Sequence, residues 1–237
     1  MFLGGIGFFV IENILTCIKE RKMNKVTFQT KFILYTNAII LVISIILIKI
    51  LEPKLPLMKT IFTSVALRST GFSTIDIASC SSVTRIIFCT LMFIGGAPGS
   101  TSGGIKINVF TILVLTVITI LKDKKQVIVF YRRISGTLIK KAMTIALLSA
   151  FIILFSACVL MQFENLELED TIFHTIAAFS EVGLSYINFN DLSIIGQGII
   201  MILMFIGRIG PISAVGLFVN EKKQNENITY PDANIVL

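Results

Sequence analysis

The chain has 237 residues, of which 54% are hydrophobic and 15% charged, with a mean hydropathy of +0.88. A soluble domain carries roughly 25% charged residues, so a water-soluble globular protein is excluded; disorder, collagen, coiled coil and a disulfide scaffold are excluded by the same values. The formal charge of +7 would suit a nucleic-acid binder in a soluble chain, but the basic residues fall mainly between apolar runs. That is the positive-inside distribution of an integral membrane protein, and it implies a lipid bilayer rather than nucleic acid as partner.

Taken in chain order, Met1 opens on MFLGGIGFFVIENIL with no basic region ahead of it and no small-residue cleavage site, so it does not read as a signal peptide. Residues 1–20 read instead as the end of a helix, the second span of a preceding unit. The 17 uncharged residues between Lys31 and Lys49 make a first full span, with both lysines snorkelling toward the membrane surfaces. Leu57–Arg68 is amphipathic and too short to cross, and it runs into Gly71. Ile86–Leu121 is longer than one span and is broken by Gly95–Gly104, ten residues made only of Gly, Ala, Pro, Ser and Thr. Ala142–Phe163 is a second full span. Asp170–Ser180 is a second short amphipathic stretch, running into Gly183. Leu192–Val219 is a third apolar run, interrupted at Gly207 and Arg208, and residues 220–237 form a polar tail.

Short helix, glycine turn and extended return is the pattern of a re-entrant segment, which needs a protein or water lining at membrane depth. Lys19, Arg21, Lys22, Lys25 and Lys31 precede the first span, and Lys122, Lys124, Lys125, Arg132, Arg133, Lys140 and Lys141 precede the second. Both clusters, and the C-terminal tail, are expected on the cytoplasmic side. Residues 164–191 carry Glu164, Glu167, Glu169, Asp170, Glu181 and Asp191 and no lysine or arginine. They form either an acidic vestibule that concentrates cations or an ordinary decorated outer loop. Cys17, Cys80, Cys89 and Cys158 show no paired spacing and read as buried thiols.

The chain repeats itself. Gly71 in RSTGFS and Gly183 in SEVGLS are 112 residues apart, as are MFIGG from Met92 and MFIGR from Met204, and Glu52 and Glu164. IFTSVA and IFHTIA match at 111, and Phe2-Leu3-Gly4-Gly5 echoes Phe93-Ile94-Gly95-Gly96. These landmarks define an all-α membrane protein of two tandem span–pore-loop–span units, preceded by the remnant of another helix. Like orientation of the units makes them parallel repeats about an axis along the membrane normal, so their turns converge on one pathway.

A pore helix aims its partially negative C-terminal end at the membrane centre, and the following turn offers carbonyls that replace an ion's hydration shell. Ser69-Thr70-Gly71-Phe72 and Glu181-Val182-Gly183-Leu184 are therefore two candidate filter strands. The carbonyls of Thr70, Gly71, Val182 and Gly183 are the expected ligands of potassium, with sodium a second candidate ion. The loop of Gly95, Gly96, Pro98, Gly99, Ser100, Thr101, Gly103, Gly104 and Lys106 reads as a movable break beneath the filter, a gate. It is not a phosphate loop, because Ile105 separates Gly104 from Lys106. Arg208, a charge inside an apolar run, is expected to hold carbonyls of that loop or a nearby acid. His174 reads as a packing residue. Asn227-Ile228-Thr229 is discounted as a glycosylation site because it falls in the cytoplasmic tail. A membrane enzyme is disfavoured, since no His, Asp or Cys cluster forms a catalytic set. A non-transporting component that assembles with a homologue is the alternative to a transporter, and no covalently bound cofactor is expected.

RSTGFST, MFIGGAPGSTSGGIK, AAFSEVGLS and MFIGRIGP, in this order, resemble the potassium-translocating subunits of the Trk/Ktr/HKT superfamily, in particular the bacterial Ktr-type subunit. GGIGFFV and YPDANIVL resemble a second-unit stretch and the C-terminal end of that family. The resemblance implies a pseudo-fourfold pore of four units, with residues 27–121 as the third and 138–219 as the fourth. It also implies filter glycines at Gly71 and Gly183, a gate loop at Gly95–Lys106 and a restraining role for Arg208. A homodimer or a complementary N-terminal half, a cytosolic nucleotide-binding regulatory subunit and a bacterial inner-membrane location are implied in the same way. Two features depart from the family pattern: Glu181 stands where a threonine or another small residue is usual, and the first unit and most of the second are absent.

Overall fold

The computed structural model describes residues 1–21, 26–187 and 192–216. The tail, Asn227 and Asp191 lie outside the described residues. Two helices are long and apolar enough to cross a membrane: α3, Phe28–Leu51, and α7, Gly136–Phe163. At 1.5 Å per residue α3 is about 36 Å long, enough for a hydrocarbon core of roughly 30 Å. Each is followed by a half-length helix, α4 (Leu57–Ser69) or α8 (Leu168–Phe179), and then by a second apolar helix. In the first unit that second span is α5 (Ser82–Ile94), a loop, and α6 (Ile107–Leu121); in the second it is α9 (Ile194–Ile209) and α10 (Pro211–Gly216).

The same local chemistry starts four of these helices. Thr27, Ser81, Ser135 and Ser193 are N-caps whose side-chain oxygens accept from the backbone N–H three residues on, satisfying a donor the helix cannot. Glu169 and Asp170 in the first turn of α8 complement its dipole.

The 111–112-residue repeat has a structural reason at Glu52 and Glu164. Each glutamate closes a long span and reaches to the start of its unit's next one. Glu52 Oε1 accepts from Thr84 Oγ1 at 2.9 Å and Ser81 N at 3.4 Å. Glu164 Oε1 accepts from Ser193 Oγ at 2.5 Å and Ser193 N at 2.9 Å. One carboxylate per unit thus pins the ends of two spans together.

The other end is organised by a two-stranded antiparallel ribbon, β1 (Ile128–Val129) with β2 (Arg132–Arg133), between α6 and α7. Phe130 at its tip packs on Phe28 and Tyr35 of α3, and Arg132 lies 5.5 Å from the Phe28 ring centre. The ribbon therefore brings the basic α6–α7 connection to the same end of the molecule as the basic start of α3. Its few residues carry no alternating pattern that the sequence could have revealed.

Three expectations need correction. The third apolar run does not break at Gly207 and Arg208, which lie inside α9. It breaks at Gly210, where φ is +94° and Pro211 begins α10, as positive φ followed by an N-terminal proline requires. Residues 1–20 are not one helical end either: Gly7, with φ +89°, divides them into α1 (Phe2–Ile6) and α2 (Phe8–Lys19). Cys17 and Cys89 are buried, but Cys80 is half-buried and Cys158 exposed, so four buried thiols is also too simple.

The main core gathers α3, α4, α5 and α8 around Ile33, Ile48, Leu67, Phe88, Met92 and Phe173, all fully buried. The α8 helix packs on α5, α7 and α9 and joins the two units.

Candidate functional site

The two glycine turns meet. A side-chain carbon placed on Gly71 would fall against the Val182 carbonyl oxygen and 2.8 Å from that of Gly183. Gly71 has no left-handed backbone angle; glycine is required there by the close approach of a neighbouring backbone. At Gly183 the reason is different, since its φ is +77° and only glycine adopts that conformation without cost. Gly71, Phe72 and Gly183 are exposed, whereas Val182 and Leu184 are buried. The Thr70 carbonyl accepts from Phe72 N at 2.7 Å, so part of its capacity is already engaged. The Thr70 hydroxyl is buried without a partner among the described residues.

The glycine-rich loop is packed against both turns' supports. Its interior is buried at Gly95–Ala97 and at Ser102–Ile105. Gly95, Gly99, Gly104 and Lys106 all have positive φ, and the carbon a residue larger than glycine would add at Gly95 would overlap the Gly103 carbonyl. Ser102 Oγ accepts from Gly96 N at 2.6 Å, and Lys106 Nζ donates to the Ser102 carbonyl. On one side the loop is bonded to the first two helices: Ala97 N to Gly5 O at 2.9 Å, Thr101 N to Gly4 O at 3.2 Å, and Phe8 N to Gly99 O at 3.1 Å. On the other, Gly103 N donates to Ser180 O at 3.1 Å, directly before Glu181.

Arg208 reaches this loop from α9. Its Nη1 donates to the Thr101 carbonyl at 2.6 Å and to Glu181 Oε2 at 2.8 Å. Both partner types expected from the sequence, a loop carbonyl and an acid, are present together. The acid belongs to the second glycine turn, two residues before Gly183.

Arg68 was missed. It sits in the last turn of α4, is 6% exposed, and its Nη2 donates to Asn37 Oδ1 at 2.5 Å and to the Gly95 carbonyl at 3.5 Å. It therefore ties α4 to the start of the loop. Arg68 is the first residue of the RSTGFS motif, but it ends a stretch that also carries Lys59, so it did not stand out as an isolated charge the way Arg208 does. Contacts from Gly4, Gly5 and Phe8 could not be read, because nothing local in a sequence marks which distant backbone will hydrogen-bond a loop.

The acidic residues 164–191 are mostly engaged in structure. Glu164 caps α9, Glu169 Oε1 pairs with Arg85 Nε at 2.8 Å, Asp170 Oδ1 accepts from Tyr186 OH at 2.6 Å, and Glu181 pairs with Arg208. Burial, then the Asp170 carboxylate, push the Tyr186 phenol above its ordinary range. Neither a free vestibule nor mere decoration describes them. His174 is 1% exposed, with Nδ1 2.6 Å from the Asp170 carbonyl and Nε2 3.1 Å from Ser185 Oγ; it packs and braces the second turn.

Two tandem units of span, half-helix, glycine turn and broken span, with their turns in contact over a buried loop, define an α-helical membrane protein of re-entrant, pore-type architecture. The profile of the family described as TrkH, cation transport protein, matches residues 1–230. The chain belongs to that family. It is 32% identical to the Ktr system potassium uptake protein B of Bacillus subtilis over 98% of this chain and 54% of that protein. It is equally 32% identical to the potassium/sodium uptake protein NtpJ of Enterococcus hirae, over 99% and 54%. The crystal structure of the potassium transporter TrkH from Vibrio parahaemolyticus superposes with a TM-score of 0.74 at 15% identity, covering 92% of this chain and 50% of that one, which establishes the shared fold. The chain spans about half the length of the curated relatives it matches.

Proposed function

We propose that this chain contributes two of the units that enclose a potassium pathway across a bacterial membrane. The observation that carries the reading is the stack of Gly71 and Gly183 turns in mutual contact with a buried, hydrogen-bonded glycine-rich loop held from Arg208. Carbonyls at Thr70, Gly71, Val182 and Gly183 supply filter ligands, and the Gly95–Lys106 loop is the gate that must move for ions to pass. Relatives named for potassium uptake, and one for potassium and sodium, support potassium as the cargo with sodium as a second ion. Two turns surround an ion on two sides only, so the pathway is completed by further units, supplied by a complementary N-terminal half or by a homologous copy. The two basic connections at one end of the molecule support a cytoplasmic placement for that end. A cytosolic nucleotide-binding subunit would dock there.

A second reading rests on the half-length coverage: a fragment that assembles with a complementary half but does not conduct. One experiment separates the two. The chain is expressed alone and with the N-terminal half of the Bacillus subtilis relative in a bacterium lacking potassium uptake, and rubidium uptake is measured. Uptake is expected from the pair. Co-purification of the halves with no uptake would replace the transport reading with the second one.

A further inference from the structure

The geometry points to Glu181 as the counter-charge that lets an arginine stand in a cation pathway: its carboxylate neutralises Arg208 and so couples the second filter turn to the glycine-rich loop. The inference rests on the transport reading above and adds to it a residue that sets the charge of the pathway.

A single guanidinium nitrogen, Arg208 Nη1, is shared between the Thr101 carbonyl of the loop and the Glu181 carboxylate of the turn. Gly103 N donates to Ser180 O beside this pair. A carbon added at Gly103 would lie 2.8–3.0 Å from the Ser180 backbone and the Glu181 side chain. The loop and the turn are therefore flush, and the ion pair sits at their junction. Glu181 holds φ +53°, a left-handed conformation that a glutamate adopts at a cost; it is this turn that carries its side chain to Arg208.

The Arg208 side chain is 56% exposed and that of Glu181 18%, so the pair is not sealed in the core. Lys106, whose own Nζ holds the Ser102 carbonyl, lies within electrostatic range of both. Two cations therefore face one carboxylate. With Glu181 ionised the junction carries one net positive charge; without it, two. A passing potassium ion is repelled by the surplus, and fields in such a cleft change ion access by about tenfold or more.

The first unit has neither member. At an offset of 112 residues Ser69 stands for Glu181 and Gly96 for Arg208. Acid and base are introduced together, and only in the second unit, as a compensating pair would be.

The test is a four-protein cycle of wild type, Glu181→Gln, Arg208→Gln and the double variant, each co-expressed with the N-terminal half as above. Glu181→Gln is expected to slow rubidium uptake about tenfold at unchanged membrane level, and adding Arg208→Gln to restore uptake to within about twofold of wild type, because the double variant and the wild type both leave one net positive charge at the junction. A double variant as slow as Glu181→Gln would overturn the inference, because Glu181 would then not act through Arg208. The same four proteins, purified in detergent, give a thermal-unfolding cycle that does not depend on transport. Coupled Tm shifts are expected; additive shifts overturn the pairing. Absence of uptake from wild type overturns the transport reading alone, and the unfolding cycle still decides the pair.

Discussion

The two units share one frame and use it differently. Each has a span closed by a glutamate, a half-helix and a glycine turn, yet the second span is interrupted by a long loop from Gly95 to Lys106 in the first unit and by the single residue Gly210 in the second. The half-length helices differ as well. Arg68 places a buried positive charge in the last turn of α4, where it offsets the negative end of the helix dipole, whereas α8 has no basic residue in its last turn and Ser180 at the matching position. The positive charge reaches the second turn from below, through Arg208. Duplicated units thus keep the scaffold and place their charge separately, so the shared landmarks report on architecture and the differences on how charge is distributed around the turns.

The largest expected effect is at Gly207, which shares a repeat position with Gly95 but meets a different neighbour. Gly95 is pressed against Gly103 of its own loop, and Gly207 against the Phe179 carbonyl of the neighbouring helix α8. Gly207→Val would force α9 away from α8, and overpacking against backbone costs about 3 kcal/mol or more. The expected result is a large fall in Tm in detergent and in membrane abundance. Gly198→Ala, on the same helix with open space around it, is expected to hold or raise Tm, by about 1 kcal/mol of helix propensity. Equal losses from both would show that α9 is intolerant in general and that the Phe179 contact is not special.

Next comes Arg68. Arg68→Met keeps the length of the side chain and removes its hydrogen bonds to Asn37 and the Gly95 carbonyl. Losing bonds from a charged donor costs about 2 kcal/mol, read as a lower Tm. Because the loop begins at Gly95, the same variant is expected to raise the rate at which a cysteine at Ser100 is alkylated. A fall in Tm without faster alkylation would confine Arg68 to holding α3 and α4 together.

Much of this was legible in the residues themselves. Hydropathy located α3 and α7, the repeat located both turns, and an isolated charge led to Arg208. What was not legible depends on distance in space. Gly71 reads in the sequence only as a turn glycine, but its requirement is room for Val182 and Gly183, more than a hundred residues away. Glu181 reads as a filter residue of unknown direction until Arg208 is seen beside it. The acidic residues of 164–191 read as a field because their partners, Arg85, Tyr186, Ser193 and Arg208, are scattered along the chain. Gly210 was overlooked because Gly207 and Arg208 drew attention to the wrong turn of the helix.

The smallest expected effect tests whether the two glutamate clasps are equivalent. Glu164 receives two hydrogen bonds, at 2.5 and 2.9 Å, both from the N-cap residue Ser193. Glu52 receives one good bond at 2.9 Å from Thr84 and one long contact at 3.4 Å from Ser81. Replacing either by glutamine keeps an acceptor and removes the charge that complements the positive end of the following helix, a change of about 1 kcal/mol or less. Glu164→Gln is expected to lower Tm more than Glu52→Gln, because both of its donors converge on the helix end itself. Raising the salt concentration should shrink the difference, since the charge is near the surface and screened. The reverse order would mean that the first unit, with its long loop, depends more on its outer clasp than the second, whose α9 is also held through Gly207 and Arg208.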